Sequence, residues 1–214
     1  MTQAVAAVDG RRLRRQQNRE AVIDALLELF RDGTYQPSTA EIAAKAGLSL
    51  RSLFRYFDDV EDLHRAAAAR QISLALPLVR LRISPSEPTA AKIRAVVQAR
   101  IRLYEQVGPS ARALRAAAHR HDMLTAELRR NQSFLRGQLS EVFAPELAGP
   151  ASALLPALQV LCSFESYELI RYDQGLSRAS AEAGLIAAIG ALLGVANEGP
   201  GARGAGPGAG VHAP

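Results

Sequence analysis

The sequence predicts an all-α protein, a small N-terminal three-helix unit followed by a larger helical body. Three observations lead there. Apolar residues recur at three- and four-residue steps, beginning with Ala21, Val22, Ala25, Leu26, Leu29 and Phe30. Helix-starting serines and helix-ending glycines punctuate the chain at Ser38, Gly47, Ser49, Gly175 and Ser177. Hydrophobic residues make up 48% of the 214, enough to bury a core for one or two compact domains.

In chain order, residues 1–15 lack apolar periodicity and read as an unstructured basic arm. Arg11, Arg12, Arg14, Arg15 and, just beyond, Arg19 concentrate positive charge there. Such an arm suits phosphate or minor-groove contact, and a solvated tail is the plain alternative. A helix over 18–31 stops at Gly33. Ser38 followed by Glu41 forms a capping box ahead of Ile42, Ala43 and Ala46. Gly47 supplies the left-handed residue that closes this short helix, and Ser49 caps the next, over 50–57. Asp58 and Asp59 suit the positive end of a fourth helix, which Pro77 ends or kinks.

Further on, helices are expected over 90–107, broken by Gly108-Pro109, then 110–119 and 124–143. A long apolar helix follows over 151–173, and a last one runs from Ser177 to near Gly194. From 197 the chain is nearly all Gly, Ala and Pro and reads as unstructured. The expected domains are therefore 1–15, 16–63, 64–196 and 197–214.

Two helices joined by a tight glycine turn form the helix-turn-helix pattern, whose second helix lies in the DNA major groove. Leu48, Leu53, Tyr56 and Phe57 fall on one face and should anchor the second helix. Leu50, Arg51, Ser52, Phe54 and Arg55 are left facing outward. An apolar tip can touch a thymine methyl, and arginine can fork to guanine O6 and N7. The hydroxyls of Ser38, Ser49 and Ser52 and the helix N-terminus can hold phosphates. Spacing alone leaves open an all-α protein that touches no nucleic acid.

Residues 18–63, "NREAVIDALLELFRDGTYQPSTAEIAAKAGLSLRSLFRYFDDVEDL", closely resemble the N-terminal domain of TetR-family transcriptional regulators. The likeness runs through the first-helix pattern, the Ser38–Gly47 stretch and the Leu-Phe-Arg-Tyr-Phe block before Glu61-Asp62-Leu63. It implies a dimeric regulator that binds a palindromic operator and is released from it by a small ligand. Two departures bear on that. The family usually has a phosphate-contacting tyrosine where this chain has Phe54, and a lysine where it has Val60. A helical partner-binding module with a degenerate helix-turn-helix therefore stays as the alternative.

The resemblance also implies that the last two helices pair with those of a second subunit. Ala183, Ala187, Gly190, Ala191 and Gly194 form a small-residue stripe, and Leu154, Leu158 and Leu161 an apolar seam beside it. Packing within one subunit is the competing role. A ligand pocket is expected among Tyr104, Met123, Phe134, Phe164, Glu165, Tyr167 and Glu168, with ordinary core packing as the alternative for most of them.

Charge is unevenly spread. Ten basic and ten acidic groups cancel over 1–69, thirteen against four give +9 over 70–136, and three against seven give −4 beyond. The middle excess favours an anionic or acyl-carrier-linked effector.

Other classes find little support. Cys162 is the single cysteine, so no internal disulfide forms. His119 and His121, two apart, point to different helix faces, and no metal or cofactor is expected. There is neither a nucleophile elbow nor a phosphate-binding glycine loop, so the chain is not read as an enzyme. Without a secretory pattern or an apolar run of about 18 residues, a soluble cytoplasmic protein is expected.

Overall fold

The computed structural model describes residues 2–118 and 122–195, with side chains from Arg12 onward. Among them all regular structure is helical. The helices are α1 (Thr2–Arg31), α2 (Thr39–Lys45), α3 (Leu50–Leu53), α4 (Val60–Val79), α5 (Thr89–Ala118), α6 (Asp122–Val142), α7 (Leu155–Leu161), α8 (Phe164–Glu168) and α9 (Arg178–Leu192). A 3-10 turn, Gly149–Leu154, leads into α7, and a π-helical turn, Leu169–Asp173, extends α8.

Two hydrophobic cores organise these elements. Val22, Ile23, Leu26, Leu27 and Phe30 of α1 meet Ile42, Leu53, Phe57 and Leu63 in the first. Ile93, Val96, Val97, Ile101 and Tyr104 of α5 meet Leu139, Phe143, Leu158, Phe164, Tyr167, Leu185 and Ile189 in the second. Ala113, near the far end of α5, is buried in the first core. One 30-residue helix thus belongs to both cores.

Several expectations need correction. The basic arm is helical: α1 begins at Thr2, and Arg14 and Arg15 lie exposed along it. Alanine, glutamine and arginine are strong helix formers, so this stretch is helical without an apolar stripe. Gly108-Pro109 does not break α5, nor does Pro77 end α4. A proline removes one backbone bond of its helix, and in α5 burial on both sides of Pro109 outweighs that loss, with Tyr104 and Ala113 each in a core.

The long helix expected over 151–173 is instead bent by 47°. The bend falls at Cys162-Ser163, where the Ser163 hydroxyl caps α8 by accepting the Ser166 amide at 3.1 Å. The helix expected over 50–57 is also shorter, with α3 ending at Leu53. Beyond Leu53 the chain tightens, with the Arg55 and Tyr56 amides bonding three residues back. No single described helix is long and apolar enough to cross a membrane. The expectations for His119, His121 and the Gly/Ala/Pro tail lie outside the described residues.

Candidate nucleic-acid interface and ligand cavity

The α2–α3 pair is built by local bonds that its sequence dictates. The Ser38 hydroxyl accepts the Glu41 amide at 3.2 Å, and the Ser38 amide donates to the Glu41 carboxylate at 2.7 Å. That backbone bond, with a second from the Ser38 hydroxyl, holds the Glu41 carboxyl below its ordinary range. Gly47 takes φ +68° between the helices, where any side chain would be strained. The Leu48 amide then reaches back to the Ala43 carbonyl at 2.9 Å. Ser49 caps α3 through the Ser52 amide at 3.2 Å.

The inner side of α3 is fixed from below. Leu53 and Phe57 are fully buried. The Arg19 guanidinium sits 4.8 Å above the Phe57 ring, and Asn18 donates to the Tyr56 hydroxyl at 2.8 Å. Both contacts come from α1, so that helix sets the aim of α3. The outer side carries Leu50, Arg51, Phe54 and Arg55, all exposed. Neither arginine has an ion-pair partner among the described residues. Ser52 is half-buried, its hydroxyl 2.9 Å from that of Ser49. The Ser38 hydroxyl is likewise engaged, donating to Glu41 at 2.7 Å. The serines therefore shape this surface more than they offer it free donors.

Arg14 precedes Asn18 by one helical turn on α1 and is exposed. Val60, at the first turn of α4, is exposed and uncharged.

A cavity of about 400 Å³ lies behind this unit, within the range of small-molecule sites. It is bounded by Leu27 and Phe30 of α1, by His64, Gln71, Ile72 and Leu76 of α4, by Arg100, Tyr104 and Ala111 of α5, by Asn131, Phe134 and Leu135 of α6, and by Gln159, Cys162, Phe164 and Glu165. The cavity therefore touches both cores. Phe30 stacks on His64, ring centres 6.3 Å apart, where α1 meets α4.

Of the expected pocket residues, Tyr104, Phe134, Phe164 and Glu165 line this cavity. Met123 does not. Tyr167 is buried beside a separate void of about 10 Å³. Glu168 is held in a fork by Arg112, at 2.6 and 3.0 Å, with that guanidinium 4.7 Å over the Tyr172 ring. Glu165 pairs with Arg115 at 2.8 Å. Burial pushes the Cys162 thiol up to about 12, so it stays protonated at neutral pH and is a poor nucleophile. Among the described residues no three metal-ligating side chains converge.

Sequence reasoning missed Arg100, which lines the cavity while only 2% exposed. The signal was present: Val96, Val97, Arg100, Ile101 and Tyr104 occupy one stripe of α5, and a charge on an apolar stripe marks a buried polar site.

The expected interface residues divide. Leu158 is fully buried in the subunit's own core and is unavailable to a second copy, and Leu154 and Leu161 pack against the same core. The helical phase of this seam differs from the expected one: the outward positions of α7 are Pro156, Ala157 and Val160, the last 62% exposed. On α9, Ala183, Ala191 and the capping Gly194 are exposed, Ala187 is half-buried and Gly190 is buried. Gly184 and Ala188 complete an outward stripe of small residues.

A family model described as bacterial regulatory proteins, tetR family, matches residues 22–67, from within α1 through α2 and α3 into α4. No curated protein sequence matches the chain significantly. Three solved structures share the fold. A transcriptional regulator from Rhodococcus sp. Rha1 is 18% identical, with 82% of this chain and 96% of that one covered, at a TM-score of 0.67. A tetR-family transcriptional regulator from Streptomyces coelicolor is 23% identical, with 84% and 82% covered, at 0.65. One from Mesorhizobium loti is 20% identical, with 85% and 98% covered, at 0.61.

Proposed function

We propose, from the premise that this chain is a TetR-family transcriptional regulator, that it acts as a dimeric repressor which a small ligand releases from a palindromic operator. The observation that carries the reading is the two-sided α3. Its inner side is buried to the last atom at Leu53, while Leu50, Arg51, Phe54 and Arg55 stand exposed on the other. A helix gripped from behind and left bare in front is built to touch something.

Arg51 and Arg55 have the chemistry for guanine edges or phosphate, and Leu50 for a thymine methyl. Arg14 and Arg15 add cationic surface along α1. The partner copy is proposed to dock on the outward faces of α7 and α9, where small side chains let helices approach closely. Two-fold protein symmetry would then meet two-fold DNA symmetry.

Release follows from the position of the cavity. Its walls include α1 and α4 of the DNA-binding unit as well as α5 and α6. A ligand that fits better with α4 displaced shifts the population toward that arrangement and alters the spacing of the two α3 helices. Selection from a random duplex pool tests the reading. A two-fold-symmetric sequence should be enriched, with affinity falling steeply as salt rises. Enrichment of nothing would favour a partner-binding module instead, a reading that the exposed apolar side chains of Phe54 and Val60 support.

Val60→Lys is expected to neutralise one further phosphate per subunit. The slope of log K against log salt should steepen by about 0.9 for each phosphate neutralised. Fluorescence anisotropy across a salt series measures it, and an unchanged slope would place residue 60 away from the backbone.

A further inference from the structure

We infer that the cavity takes an amphipathic monocarboxylate, its acid group at Arg100 and its apolar body running out between α4 and α6. This rests on the reading of the cavity as the effector site. Arg100 is the guanidinium that the wall buries without a countercharge. Its Nη1 donates to the Gln138 amide oxygen at 3.0 Å and its Nη2 to the Leu135 carbonyl at 3.0 Å. Its Nε is buried with no acceptor at all. Five N–H groups are available to a guanidinium, so these two bonds leave most of its donors unspent.

An arginine cannot escape this situation by losing its proton. Neutral acceptors only partly offset the desolvation of a buried cation, and a carboxylate offsets it far better. The other permanent charges on the wall are already matched. Arg115 pairs with Glu165 at 2.8 Å, and Glu127 with Arg130. Arg100 is therefore the one permanent charge on the described wall that lacks a countercharge. One charge calls for a carboxylate rather than a phosphate dianion, for which a second free cation would be needed.

Shape sets the rest of the molecule. Arg100 is 2% exposed, whereas Ile72, Leu76 and Phe134 of the same wall are 41%, 49% and 55% exposed. Large apolar side chains in contact with water at the rim of a cavity mark the path of an apolar group. The rest of the wall is mainly Ala, Leu, Val and aromatic. An acid head at the buried Arg100 and an alkyl or aryl chain against the exposed apolar side chains satisfy both features together.

Calorimetry with decanoate and with decan-1-ol, on the full chain, tests this. The wild-type protein should bind decanoate at least about tenfold more tightly than the alcohol, a difference of about 1.4 kcal/mol. Arg100→Gln should abolish that preference and leave the affinity for the alcohol in place. Should this variant not fold, carboxyl-labelled decanoate bound to the wild-type protein gives an independent reading by 13C NMR. Its acid group should ionise at lower pH than in free decanoate. Equal or tighter binding of the alcohol, binding of neither, or a bound acid that ionises at higher pH would overturn the assignment. Operator binding in the same samples separates the two levels. Decanoate bound as expected but without effect on DNA would contradict ligand release and leave the carboxylate site standing.

Discussion

Glu146→Ala is expected to lower the unfolding free energy by about 3–5 kcal/mol, the cost of stranding a buried charge. The stranded group is Lys92, whose side chain is 1% exposed at the start of α5. Its ammonium donates to Glu146 at 2.7 Å and to the Pro85 carbonyl at 2.9 Å, and lies 5.7 Å from the centre of the Phe143 ring. Thr89 adds a bond to the same carboxylate at 2.6 Å. Three segments, the loop before α5, α5 itself and the turn after α6, are stapled at one point. The double variant Lys92→Met/Glu146→Leu should cost much less than the single one, because no charge is left unpaired. Urea unfolding at neutral pH measures both.

The same staple predicts a pH dependence. Burial pushes the Glu146 carboxyl upward, but bonds from Lys92 and Thr89 outweigh it, and the group lies below its ordinary range. A carboxyl with a depressed folded value stabilises fully above its unfolded value, near pH 4.3, and the contribution fades as pH falls through the folded one. Acid should therefore narrow the stability gap between wild-type protein and Glu146→Gln. A gap that stayed constant down to strongly acidic pH would show that this ion pair contributes nothing at neutrality.

Ala188→Arg is expected to convert the proposed dimer to monomer. Ala188 is exposed at the middle of the outward face of α9, flanked by Gly184 and Ala191. Beside it α7 presents Pro156, Ala157 and Val160. No charged side chain stands among these six. An arginine buried there against its own symmetry mate costs several kcal/mol, which is more than about a hundredfold in dimer dissociation constant. Sedimentation at micromolar concentration should show the monomer, with the helical content and melting of the single subunit preserved. Operator affinity should fall with it, since each half-site would have to be bound separately. A variant that stays dimeric would place the interface elsewhere on the surface.

The parts of this molecule that were legible in the sequence are those set by neighbours in the chain. Ser38 with Glu41, Gly47 and Ser49 each act within four residues, so the helix-turn-helix was readable down to which side of α3 carries Arg51. The parts that were not legible depend on long-range packing. Gly108-Pro109 looks like a stop in isolation, yet α5 passes through it because both halves are held in cores that only the folded chain creates. Leu154, Leu158 and Leu161 share a helical stripe, but which stripe faces inward depends on where α5 and α9 lie. Met123 and Phe134 were equally eligible for the cavity from their side chains, and the angle of α6 admits only Phe134. Arg100 and Lys92 are two charges on the buried stripe of α5, visible in the sequence, one paired with Glu146 and the other bonded only to neutral acceptors.

The affinity of the protein for its selected operator and for a scrambled duplex, measured for the wild-type protein and Arg51→Ala at fixed salt, decides whether α3 reads DNA. If Arg51 reads a base in each half-site, the variant should lose about 1–3 kcal/mol of discrimination per half-site while its binding to the scrambled duplex falls only slightly. Equal losses on both duplexes would make Arg51 a phosphate contact. A wild-type protein that failed to distinguish the two would contradict the assignment of α3 as the element that reads DNA.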